Sequence, residues 1–166
     1  LSPIAGQTLI AGQTLMVTNA ATDPVLPSQS LTFSLLAGPA GMTVNSTNGI
    51  LTWRPAMAQS PSTNLVTVQV ADNGSPSLSA TQSFQVTVTT PAVPTFAALQ
   101  LTGGVFSMHV NGSIGPDYYL QSATNLTPPV TWLPMQTNFS ATPPFLFTDP
   151  SATNFNQRFY RVILGP

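Results

Sequence analysis

Seven side chains in this sequence carry a full charge: Arg54, Arg158, Arg161, Asp23, Asp72, Asp117 and Asp149. His109 is the one histidine, and Lys, Glu and Cys are absent. Any acid–base chemistry has to come from this set. His109 stands two residues from Ser107 on one face of an alternating run, the pairing that an activated hydroxyl needs. A triad also needs a third group to orient the imidazole, and no spacing brings Asp117 or Asp149 there. No Gly-x-Ser-x-Gly elbow or His-Glu-x-x-His motif occurs, so His109 reads as an ordinary surface or interface residue. Asp117 and Asp149 would suit a glycosidase pair, but each adjoins a proline, Pro116 or Pro150, and reads as a turn initiator. Arg158 and Arg161 lie three apart, which on a strand turns them to opposite faces and denies them one shared anion. No enzymatic activity is expected.

Non-covalent recognition has more material. Trp53, Trp132, Tyr118, Tyr119 and Tyr160 are the residue types that stack on sugar rings, with Asn and Gln plentiful beside them. The plainer reading places them in a core or interface, since Trp53 ends an alternating strand. Five Asn-x-Ser/Thr sequons, at Asn45, Asn73, Asn111, Asn125 and Asn138, make glycosylation an expectation to test by intact mass.

The background against which these residues stand is unusual. Only 4% of the 166 residues are charged, against about 25% in an ordinary soluble domain. No basic surface exists to neutralise phosphates, so nucleic acid is excluded as a partner. Without cysteine there is no disulfide framework, thiolate metal site or thiol nucleophile. A hydrophobic share of 42% argues against disorder, while no apolar run approaches the roughly 18–20 residues of a membrane span. The chain opens on Leu1 with no signal-peptide pattern and reads as processed or excised.

The elements that must position these residues are strands. Leu31–Leu35, Val66–Val70 and Phe84–Val88 each alternate apolar and polar residues, the period of a half-buried strand. Strands are expected near 7–9, 13–20, 31–36, 42–45, 49–53, 64–71 and 81–89, as in an immunoglobulin-like sandwich. Breakers at Asp23-Pro24 through Pro27-Ser28, Gly38-Pro39 and Asp72–Pro76 separate them, and Asn48-Gly49 predicts a tight hairpin. Thr90–Pro94 carries two prolines and predicts a stiff linker over 90–95. Strands then resume near 96–101, 104–110, 117–122, 130–136, 144–148 and 157–164, with Gly103-Gly104 turning the first hairpin. The expected fold is all-β, two tandem β-sandwich modules over 1–89 and 96–166. The second is small for a sandwich without disulfides and is expected to lean on a neighbour or another subunit.

Ile4–Leu9 is repeated at once as Ile10–Leu15. One reading is an extended strand that crosses between sheets at a glycine. The sharper one is an assembly strand, with Ile4, Leu9, Ile10 and Leu15 pairing outside their own domain.

Pro3-Ile4, Gly12–Leu15, Ala21–Pro24, Leu31–Leu35, Pro39–Met42, Gly49–Pro55 and Val70–Ser79, in that order, make residues 3–89 resemble the cadherin-like, Putative-Ig repeats of large secreted bacterial proteins. Tyr119–Leu126, Trp132, Phe147–Asp149 and Arg158–Val162 make residues 96–166 resemble a small C-terminal β-module of secreted bacterial proteins, which puts Pro166 near a true C-terminus. The first resemblance implies calcium held by acidic residues at the repeat ends. Its matching positions are Asp23 and Asp72, but Ala11 and Val25 stand where further acids are often found. Calcium takes about six to eight oxygen ligands, so both Asp are expected to cap turns and no cofactor is expected.

The missing charges carry the functional expectation. Soluble β-proteins guard their edges with Lys or inward charges, and net charge keeps copies apart; this chain has no Lys and a net charge of −1. The expected function is a non-catalytic structural subunit of an extracellular or cell-surface assembly, with copies of itself as partners. The alternative is an adhesive or carbohydrate-binding module, with Trp53, Trp132, Tyr118 and Tyr119 as glycan contacts.

Overall fold

The computed structural model describes residues 1–24 and 29–166. Val25 and the Pro27-Ser28 part of the expected turn lie outside the described residues. The chain divides into two compact units, Leu1–Thr89 and Thr90–Pro166, both built of β-strands with short 3-10 turns at Met57–Gln59 and Ala152–Asn154. No helix among the described residues is long and apolar enough to cross a membrane.

The first unit holds β1 (Gln7–Ile10), β2 (Leu15–Thr18), β3 (Leu31–Ala37), β4 (Thr43–Val44), β5 (Ile50–Trp53), β6 (Ser62–Asp72) and β7 (Ser79–Thr89). They form two sheets, ordered β1-β7-β6-β3 and β2-β5-β4. The alternation read from the sequence sets which face is wet. Val66, Val68 and Val70 on β6 and Phe84, Val86 and Val88 on β7 are buried, while Gln85 between them is exposed. These residues meet Leu51 and Trp53 of the opposite sheet in one core. Each fully buried side chain of this kind contributes about 1.5–3 kcal/mol.

The hexapeptide repeat takes the sheet-crossing form. Its first copy supplies β1, which pairs in parallel with β7, and its second leads into β2, which pairs with β5. The crossing falls at Ala11-Gly12, where Gly12 has φ 87°. Ala11 N–H donates to Thr89 O and Gly12 N–H to Pro55 O, at 3.0 and 2.8 Å. Leu9 and Leu15 therefore reach one core from opposite sheets. Of the residues named for an assembly strand, Leu9 and Leu15 are thus buried in their own domain and Ile4 packs against the same cluster, while Ile10 is half-buried.

The Asn48-Gly49 hairpin is also wider than expected. Asn45 N–H donates to Ile50 O at 2.9 Å, so the loop has four residues, Ser46–Gly49. The Asn45 side chain shapes it by accepting from Thr47 and Asn48 N–H. Gly49 is required there, at φ +68° with a Cβ position only 2.5 Å from Asn19 O.

The second unit holds β8 (Thr95–Thr102), β9 (Val105–Asn111), β10 (Asp117–Ala123), β11 (Leu133–Asn138), β12 (Phe145–Asp149) and β13 (Phe159–Gly165). Its sheets are ordered β12-β9-β8 and β11-β10-β13. Gly103 and Gly104, at φ 59° and 84°, make the two-residue turn between Thr102 and Val105. Met108, Val110 and Phe147 from one sheet and Tyr118 and Leu120 from the other fill a smaller core. β8 stands apart, with all eight residues exposed. Its pairing with β9 shifts register between Ala97 and Gln100, where Ala98 takes φ 50°.

Candidate functional site

Two charges of the second unit, Asp149 and Arg158, meet at one end of its core. Asp149 ends β12 and is fully buried. Its Oδ1 accepts from Ser151 N–H and Ser151 Oγ at 2.9 and 2.8 Å, the local turn its sequence neighbours suggest. Its Oδ2 accepts from Tyr160 Oη at 2.8 Å and lies 3.1 Å from Arg158 Nη1. Arg158 also donates to Ser151 Oγ, Ser122 Oγ and Met135 Sδ, and its guanidinium lies 4.4 Å from the Phe155 ring centre. Burial pushes the Asp149 carboxyl up, but the hydrogen bonds from Tyr160 and Ser151 and the Arg158 charge outweigh it, leaving the group below its ordinary value. The same burial, with the Asp149 bond and charge, raises the Tyr160 phenol. Neutral Tyr160 thus donates to an ionised Asp149, which leaves that carboxylate tied to its neighbours.

Asp117 bonds over a longer range. It is buried, and its Oδ1 accepts from Ser140 N–H at 2.7 Å, across 23 residues of sequence. It fastens the start of β10 to the β11–β12 connection, where Ser140 takes φ 44°. Asp117 and Asp149 therefore serve different ends of the fold. His109 is exposed on β9, opposite Leu146 of β12 and Ala97 of β8.

Asp23 and Asp72 do come together, lining one hollow of about 250 Å³ with Leu1, Leu31 and Val70. Asp72 Oδ1 accepts from Gly74 and Leu78 N–H at 3.0 and 2.9 Å, as a turn cap does. These backbone bonds hold its carboxyl below the ordinary value. Among the described residues no three His, Cys, Asp or Glu gather. Two carboxylates, one of them engaged by backbone amides, do not fit the oxygen shell that calcium needs.

The four candidate glycan contacts separate. Trp53 is buried in the first core, with Nε1 donating to Ala40 O at 3.1 Å. Tyr118 is buried in the second, with Oη donating to Ser113 O at 2.8 Å. Neither offers a ring face to a ligand, because both sit on inward strand positions. Tyr119 and Trp132 are half-buried. Gln121 follows Tyr119 on the outward side of β10, and its Oε1 accepts from Arg161 Nε at 2.8 Å. Arg161 in turn covers a face of Trp132, 4.3 Å from the ring centre. Tyr119, Gln121, Arg161 and Trp132 thus make one polar–aromatic strip, with Arg161 and Arg158 on opposite sides of the strand line as their spacing requires.

Sequence reasoning missed two structural roles. Arg54 Nε donates to Gly12 O at 2.7 Å, clasping the sheet crossing. Asp149 and Arg158 pair across the loop between β12 and β13. The available signal was scarcity: opposite charges nine residues apart, in a chain with so few, have reason to meet.

Residues 1–89, more than half of the chain, match the family described as "Putative Ig domain", and the chain belongs to that family. Among solved structures it is similar to Protocadherin Gamma B2 extracellular cadherin domains 3-6, with 19% identity and a TM-score of 0.41 over 62% of this chain and 28% of that one. Human CDH23 EC21-23 gives 21% identity and a TM-score of 0.40 over 66% and 43%. The human Desmocollin-1 ectodomain gives 16% and 0.36 over 73% and 25%. The chain thus spans less than half the length of each of these. No curated protein matches it.

Proposed function

We propose that this chain is a non-catalytic structural subunit of an extracellular assembly, a filament or surface layer, whose copies meet through β-domain contacts. One observation carries the reading: three of the seven charged side chains are turned inward while large apolar side chains stand outside. Asp117, Asp149 and Arg158 are spent on internal bonds. Among the described residues sixteen large hydrophobics are exposed, Leu36, Leu65, Leu101 and Phe139 among them. Such a surface has little charge to hold copies apart, and its exposed apolar side chains are material for contacts between copies.

Sedimentation velocity over a concentration series, at about 0.1 M and 1 M salt, tests this. Raising salt shortens the screening length from ~10 to ~3 Å, so apolar contacts persist or tighten while charge-driven ones fail. Self-association retained at high salt is the expected result. A second reading, a carbohydrate-binding module, is favoured by the strip of Tyr119, Gln121, Arg161 and Trp132. A chain that stays monomeric at every concentration yet binds in a glycan screen selects that reading instead.

A further inference from the structure

We infer that β8 and the groove beside it form the docking surface for a second copy of this chain. The inference rests on the assembly reading above and names its interface.

β8 is the longest strand at a sheet edge, eight residues against four for β1 and seven for β3 and β13. Its partner on one side is β9; on the other it closes the sheet order, leaving backbone donors and acceptors to be paired. Most other edges are shorter or interrupted: β11 contains Pro134, β13 carries Arg161 and β1 is short, while β3, with seven uncharged residues, is the nearest alternative. The run Thr95–Thr102, TFAALQLT, has neither charge nor proline. Its one irregularity, the bulge with Ala98 at positive φ, lifts Leu99 from the ladder.

Leu99 and Leu101 then line a groove of about 560 Å³ with Phe106, Phe155, Arg158 and Tyr160. Arg158 is neutralised by Asp149 and capped by Phe155, so the groove offers no net charge for a charged ligand. It suits an uncharged apolar strand with amide and hydroxyl neighbours, which is the chemistry of β8 itself. A two-fold axis through the β8 edge sets the exposed β8 side chains of each copy against the other's groove, the self-complementarity an isologous contact needs.

The area is sufficient. Exposures of 38% for Phe96, 59% for Leu99, 62% for Leu101 and 42% for Phe155 equal about two fully exposed large side chains, on the order of 400 Å² at ~200 Å² each. Apolar atoms make up roughly 57% of a usual interface, or about 460 Å² of what each partner buries. A standard complex buries ~800 Å² per partner.

The test compares sedimentation of the full chain with Leu101→Lys and, as a control for added charge, Leu126→Lys on another exposed leucine. Leu101→Lys is expected to weaken self-association about thirtyfold or more, with Leu126→Lys like the parent. Because Leu101→Lys can also disturb folding, Gln100→Cys is oxidised in parallel; the chain has no other cysteine. A disulfide-linked dimer supports the interface. Association that survives Leu101→Lys, or no crosslink from Gln100→Cys in an associating chain, overturns the β8 interface and leaves the assembly reading standing. A parent chain that never associates overturns both.

Discussion

Arg158 and Asp149 form a buried ion pair in the second unit. Asp149 is fully buried and Arg158 nearly so, and leaving one such partner uncompensated costs about 3–5 kcal/mol. That is a large share of a domain's total of ~5–15 kcal/mol. Asp149→Asn is therefore expected to lower the melting temperature of the second unit sharply, with the first unit's transition unmoved in calorimetry. The pair also sets an acid limit. The folded Asp149 carboxyl titrates below its ordinary value, so its stabilisation is present above about pH 4 and drains as pH falls through the folded value. Asp72 adds a contribution of the same sign to the first unit. An acid titration of stability should thus fall less steeply for the second unit once Asp149 is Asn; an unchanged slope would show that the carboxylate is not ionised in the fold.

Strand content was legible because alternation is a local signal. Val66–Val70 and Phe84–Val88 state their buried face directly, and β6 and β7 form where that pattern runs. Partnership was less legible, because one strand's pattern does not say what lies across the core. The Ile4–Leu15 repeat shows the difference. Read alone, it suits either a strand that crosses between sheets or one seeking an outside partner; in the fold the two copies pair one in each sheet. Deleting residues 1–12 is consequently expected to unfold the first unit, removing buried Leu9 and Ala11 and the parallel partner of β7. Loss of its thermal transition is the check; a folded first unit lacking these residues would count against the crossing as a core element. The aromatic candidates divided for the same reason, Trp53 and Tyr118 inward and Tyr119 and Trp132 half outward, a distinction that only cross-sheet packing supplies.

For the whole molecule, scarcity of charge joins sequence, surface and function. Four Asp and three Arg leave a net charge of −1, and the charges buried in the second unit subtract further from what a neighbour meets. A two-fold contact at β8 closes a dimer, so a filament needs one further contact of the head-to-tail kind. The apolar side chains exposed on the first unit, Met16, Leu36 and Leu65 among them, are material for it. The most direct measurement is electron microscopy of the purified chain across a concentration series. Regular filaments or lattices growing from dimers are the predicted result. Dispersed monomeric particles at every concentration would contradict the claim that this surface exists to meet copies of itself.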